Sequence, residues 1–208
     1  GAEGISHWIA EAGGQGLGVV LDVSDGAAID SVVGEIEKQS GAIAILVNNA
    51  GITRDGLMLR MKRADWDAVI NTNLNGMFYC LQQAFRVMRQ QQPHGGRIIN
   101  FSDWVAASRR PQYAGYLPYY VAKAGVVALT EALALELAPS QILVNAIAPG
   151  PIAPPEGSTD DEIRAVERAT PLGRWGGAAA IAQVVVSLVE SDFVTGETVR
   201  VDGGRHLK

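Results

Sequence analysis

Cysteine is almost missing from this chain of 208 residues, where Cys80 stands alone. A disulfide framework needs pairs and a thiolate metal site needs clusters, so both are excluded. A domain of this length buries about 70% of its unfolded surface and needs no such staple. A reducing, cytoplasmic setting is therefore expected. Histidine is scarce too: His7, His94 and His206 lie far apart with no ligand spacing, so no metal site is expected.

Excess positive charge is also lacking. Seventeen basic residues face 22 acidic ones, for a formal net charge of −5, and no basic run exceeds Arg109-Arg110. That leaves no electrostatic footprint for a nucleic-acid partner. Charged residues, Pro or Gly interrupt every apolar run well before the eighteen residues of a spanning helix. No charged, apolar and small-residue leader opens the chain, so no membrane role is expected. The first residue is Gly1 and not Met, which raises the expectation that the numbering starts inside a longer product.

What is present is a regular alternation. Ile5, Trp8, Ile9 and Ala12 repeat at helical spacing and stop at Gly13-Gly14. Residues 18–23 form a short apolar run that reads as a buried strand. A helix carrying Ile29, Val32, Val33 and Ile36 follows, then an apolar strand over 43–47. A long helical stripe runs from Trp66 through Leu74, Met77, Leu81 and Phe85 to Met88. Further strands are expected at 97–101, 142–147 and 197–201, and further helices at 118–137, 159–169 and 178–190. Pro118 suits a first helical turn, where a missing N–H costs nothing. Thr159 with Glu162 makes a capping box. Trp8 and Trp66, on apolar stripes, read as core, and Trp175 in Gly-Arg-Trp-Gly reads as a structural turn. Strands apolar on both faces and separated by helices define an α/β fold, a doubly wound, mostly parallel sheet in a single domain over 1–208.

In such sheets ligands bind beyond the carboxyl ends of the strands. Asp22-Val23, Asn48 to Gly51, Ser102-Asp103 and Pro149-Gly150 each follow an expected strand. Tyr119 and Lys123, four apart near a helix start, share one face. An ammonium beside a phenol favours the phenolate and lowers its pKa from near 10, which makes the phenol a usable acid or base. Taken alone, that spacing equally describes a packed ring and a solvated cation.

Asn48-Asn49-Ala50-Gly51, Asn73 within Asn71-Thr72-Asn73-Leu74, the Tyr119/Lys123 pair and Pro149-Gly150 occur in order along the chain. Together this set resembles the short-chain dehydrogenase/reductase family over essentially the whole sequence. Within it, residues 47–62 are similar to 3-oxoacyl-acyl-carrier-protein reductases. Asp103-Trp104, residues 116–119 and residues 148–151 are more similar to pteridine reductases.

The resemblance implies a Rossmann-type fold and a carbonyl reductase using NADP, with NAD possible. Tyr119 would protonate the substrate carbonyl, Lys123 would bind the ribose and tune Tyr119, and Asn73 would hold a relay water. Asp22 and Val23 would face the adenine side. Asn48, Ala50 and Gly51 would line the cofactor, and Pro149, Gly150 and Ile152 would flank the nicotinamide. The helix after residue 155 would form a substrate lid. A homo-oligomer built on the helices 121–137 and 178–190 is expected by the same analogy.

The chain departs from the family pattern in three places. Most members place a serine where Asp103 stands; Asp103 ranks first for the substrate-polarising role, with Ser102 and then Ser108 behind it. Pro154 replaces a common threonine and cannot donate its hydrogen bond. The family's phosphate loop opens a helix after its first strand. Gly13, Gly16 and Gly18 instead follow a helix and read as a helix stop and turn. The first strand-helix-strand segment is thus expected to be lacking. Three functions follow as expectations: reduction of a 3-oxoacyl thioester, reduction of a pterin-like ring, or an inactive fragment serving as a scaffold.

Overall fold

In the computed structural model, which describes residues 2–208 (side chains from Gly4), the protein folds around a parallel sheet of four strands in the order β1-β2-β3-β4. The strands are β1 (Ile45–Asn48), β2 (Gly96–Phe101), β3 (Ile142–Pro149) and β4 (Thr198–Val201). Register runs Val47 to Ile99 and Asn48 to Asn100 between the first pair, and Ile99 to Asn145 and Ile147 to Val199 further in. The helices are α1 (Ala2–Glu11), α2 (Gly26–Ser40), α3 (Arg63–Ile70), α4 (Gly76–Gln90), the short α5 (Trp104–Ala107), α6 (Leu117–Leu137), α7 (Asp160–Ala169) and α8 (Ala178–Glu190).

Alternation along the strands divides the core in two. Ile98, Ile142 and Val144 face α4 and α6, meeting Met77, Leu81, Met88, Val126 and Leu137. Ile99, Ile147, Val199 and Val201 face Leu188, Ile181 and Val184 of α8. Both faces of the central strands are therefore covered, as their continuous apolar runs require.

The edge departs from the expectation. Residues 18–23 pair with no strand, and Val20 is 97% exposed. An apolar run becomes a strand only where it pairs with another backbone, and this segment makes no ladder with the open edge of β1. On β1 itself, Ile45 and Val47 are 46% and 43% exposed, because α8 covers the sheet only from β2 to β4. Trp8, expected in the core, is 73% exposed on α1. The helix-stop reading of Gly13-Gly14 holds: Gly13 adopts φ +81°, and the N–H groups of Gly13 and Gly14 donate to the carbonyls of Ala10 and Ile9.

Local signals elsewhere act as expected. Asp25 caps α2 through the N–H groups of Ala27 and Ala28. Thr159 and Glu162 form a reciprocal capping box on α7. Pro118 sits in the first turn of α6. Among the described residues no helix is long and apolar enough to cross a membrane.

Candidate active site

The carboxyl ends of the strands, α5 and the start of α6 enclose a cavity of about 690 Å³. Helix α6 brings Tyr119 and Lys123 to it on one face, one turn apart. Strand β2 ends at Phe101 and passes directly into Ser102, Asp103 and α5, so the sequence change from apolar run to polar pair falls at the cavity wall.

Four polar contacts fix the geometry. The Tyr119 hydroxyl donates to Asp103 Oδ2 at 3.0 Å. Asp103 Oδ1 accepts from the Val105 N–H at 2.9 Å, which makes Asp103 the N-cap of α5. Lys123 Nζ donates to the Phe101 carbonyl at 2.7 Å and lies 5.7 Å from the centre of the Tyr119 ring. Ser102 Oγ is turned away and donates to the Lys123 carbonyl at 2.8 Å, tying β2 to α6. Of the two residues after β2, only Asp103 presents its side chain to Tyr119. Ser108 opens onto a separate recess with Arg109 and Arg200, away from this cavity.

The electrostatics correct the expectation for Tyr119. Its phenol is raised well above the ordinary range, first by burial and then by the Asp103 charge. Lys123 does not lower it, because the ammonium is bound to a carbonyl below the ring and not to the hydroxyl. Burial depresses Lys123 itself to about 8, against the opposing pull of Asp103. Burial likewise raises Asp103, opposed by the Val105 N–H, the Tyr119 hydroxyl and the Lys123 charge.

Asn73 lies in a π-turn (Asn71–Asn75) between α3 and α4, a feature often found at functional sites. Fully buried, it clamps one residue twice: Nδ2 donates to the Ile52 carbonyl, and Oδ1 accepts the Ile52 N–H, each at 2.8 Å. That clamp sets Gly51 against Asn73 and Lys123. A Cβ at Gly51 would sit 3.4 Å from Asn73 Oδ1 and 3.6 Å from Lys123 Nζ. Gly150 packs against Asp202, where a Cβ would come within 2.5 Å of the Asp202 Cβ.

The other expected residues divide into two groups. Gly51, Pro149, Gly150 and Ile152 line the Tyr119 cavity. Val23, Asn48 and Ala50 line a separate recess of about 180 Å³ between the unpaired 21–23 segment and the β1 edge. Asn48 is further committed to a buried chain in which it donates to Asn100 Oδ1 and Asn100 donates to Thr130 Oγ1. Asp22 is exposed and accepts from the N–H and hydroxyl of Ser24, which hold its carboxyl below the usual range. Gly13, Gly16 and Gly18 are exposed and lie outside both cavities. Sequence reasoning missed Arg205 and gave Trp175 a turn role alone; both line the main cavity. Arg205 follows the Asp202-Gly203-Gly204 turn, the one signal that it falls at the end of a strand.

A second cavity of about 450 Å³ adjoins the first across Thr53, Asp103, Tyr113 and Tyr119, which line both. Tyr113, Tyr116 and Tyr119 form a ladder of edge-to-face rings along it, with centroids 6.0 and 6.4 Å apart.

A half-buried Tyr119 and a buried Lys123 beside a glycine-lined cleft at the carboxyl ends of a parallel sheet stand where open α/β folds bind their ligands. Residues 2–206 match a family model described as enoyl-(acyl carrier protein) reductase. The 3-oxoacyl-[acyl-carrier-protein] reductase FabG of Staphylococcus aureus is 38% identical over 210 residues, covering 99% of this chain and 83% of that protein. Its namesake from Escherichia coli is 38% identical over 211 residues, with 100% and 83% covered. The solved structure of a short-chain dehydrogenase/reductase double mutant from Serratia marcescens superposes with a TM-score of 0.89 at 30% identity, covering 99% of this chain and 82% of that one. The chain belongs to the short-chain dehydrogenase/reductase family of oxidoreductases.

Proposed function

We propose that the protein reduces the carbonyl of a 3-oxoacyl thioester, with NADPH as reductant. The observation that carries the reaction is the Tyr119 hydroxyl on the wall of the main cavity, bonded to Asp103 and backed by Lys123. The substrate class rests on relatives, named as 3-oxoacyl-[acyl-carrier-protein] reductases, that match nearly the whole chain.

The cavity residues suit the nicotinamide and ribose end of a dinucleotide. Gly51 and Gly150 line this cavity without side chains, and at 150 a Cβ would collide with Asp202. The Lys123 ammonium has three donors and gives one to Phe101, which leaves donors for ribose hydroxyls. Pro149, Gly150 and Ile152 would flank the nicotinamide, and Asn48, Ala50, Val23 and Asp22 would serve the adenosine side. When bound, the reduced dinucleotide supplies a hydride. Tyr119 is a neutral proton donor throughout the physiological range and hands its proton to the carbonyl oxygen, leaving the product alcohol. Lys123 holds positive charge close to the tyrosinate that remains, and the single O–H hydrogen turns from Asp103 Oδ2 to the carbonyl oxygen for the transfer. Asn73 positions the Gly51-Ile52 wall.

A second reading, reduction of a pterin-like ring, is favoured by the Asp103–Tyr119 contact and by the tyrosine ladder along the second cavity. NADPH oxidation followed with acetoacetyl thioester and with dihydropterin separates the two. Faster turnover of the thioester is expected; faster turnover of the pterin would replace the first reading with the second.

A further inference from the structure

We infer that Arg205 is a specificity-determining residue that binds an anionic oxygen group, a carboxylate or a phosphate, on the carbonyl substrate. The inference rests on the carbonyl-reductase reading for the reacting group, and on independent features for the anion.

The first feature is charge. The wall of the main cavity carries two cations, Lys123 and Arg205, and one carboxylate, Asp103. Asp103 is engaged at both oxygens, by the Val105 N–H and by the Tyr119 hydroxyl. Among the described residues Arg205 forms no ion pair. The second feature is donor capacity. A guanidinium carries five N–H donors in a fixed fork, and Arg205 uses Nη1 on one acceptor, the Val166 carbonyl of α7, at 3.0 Å. The third is preorganisation. The guanidinium carbon lies 5.7 Å from the centre of the Trp104 ring, one residue from Asp103. An arginine stacked in this way loses little further freedom on meeting a planar anion. The fourth is Trp175, which lines the same wall and whose buried indole N–H has no hydrogen-bond partner among the described residues.

Turn chemistry places the residue. Buried Asp202 accepts from the N–H groups of Gly204 and His206 and contacts His206 Nδ1 at 2.7 Å, so the chain reverses after β4 and delivers Arg205 back over α5. Arg205 thus ties the turn after β4 to α7 and lines the cavity with donors to spare.

The test is a binding titration read from the fluorescence of the cavity tryptophans, independent of turnover. Acetoacetate, inorganic phosphate and the neutral methyl acetoacetate are each titrated into the wild-type chain. At least one anion should bind about tenfold more tightly than the ester, the worth of one charge-assisted contact. Arg205→Gln should erase that preference and Arg205→Lys should keep part of it. Equal binding of anions and ester by the wild type overturns the inference without recourse to any variant, as does an unchanged preference in Arg205→Gln. Weakened NADPH binding by Arg205→Gln with anion binding unchanged would also overturn it, by assigning the residue to the dinucleotide. Absence of NADPH turnover with the anion preference intact would defeat the proposed reaction and leave this site standing.

Discussion

The hydroxyl of Tyr119 donates to Asp103 Oδ2 at 3.0 Å, and the pair forms part of the wall shared by two cavities. One cavity is lined by glycines, prolines and two cations, the other by tyrosine rings. A carbonyl placed at that wall meets the neutral phenol of Tyr119, with the site's buried lysine behind it. The aspartate changes the chemistry of the phenol, because a carboxylate charge disfavours the phenolate and a neutral serine hydroxyl would not.

Removing that charge while keeping the contact should therefore lower the Tyr119 pKa. Asp103→Asn retains a good N-cap for α5, so stability should change by less than about 1 kcal/mol. Ultraviolet titration of the phenols, with Tyr119→Phe as the subtraction in each background, should show Tyr119 ionising at lower pH in the variant. An unchanged or higher value would mean that burial alone sets it.

Lys123 makes stability depend on pH. Its ordinary value is 10.5 and its folded value about 8. Between those limits the unfolded chain holds the proton and the folded chain does not, so stability rises with pH across the window. Below pH 8 both states are protonated and the cost of the buried charge is fully present. Relative to Lys123→Met, the wild type should gain about 3 kcal/mol between pH 8 and 10.5. Urea unfolding of both proteins at pH 7.5 and 10 measures the difference. A gap that stays constant would show that Lys123 titrates normally.

Asn73→Ala should cost about 3 kcal/mol, since it strips partners from the N–H and carbonyl of Ile52 beside a fully buried side chain. Urea denaturation reads the loss. A change below about 1 kcal/mol would mean that the Ile52 groups find other partners.

These residues show how far the sequence could be read. Strands β2 and β3 were legible as apolar runs because helices cover both of their faces, and the α7 capping box and Pro118 are local signals that no tertiary contact overrides. The segment 18–23 carried the same apolar signal and forms no ladder, because strand formation depends on a neighbour that a local pattern does not specify. Trp8, on a helical stripe, is likewise exposed. In the site, the Tyr119/Lys123 spacing and the order of motifs singled out residues of which Tyr119, Lys123, Gly51, Pro149, Gly150 and Ile152 line one cavity. The direction of the Tyr119 shift was not legible, since it depends on burial and on the Asp103 charge, both set only when β2 and α6 pack together. The choice between Ser102 and Asp103 turns on one rotation of the chain entering α5, and Arg205 reaches the cavity through a turn closed by buried Asp202.

The most direct measurement is NADPH consumption with acetoacetyl thioester by the wild-type chain and by Tyr119→Phe, alongside their thermal unfolding. Loss of the proton donor should lower kcat by about 10²- to 10⁴-fold. The phenylalanine ring should leave the fold intact. Equal turnover by the two proteins would contradict a proton donated by Tyr119, and no turnover by the wild type would contradict the reduction itself.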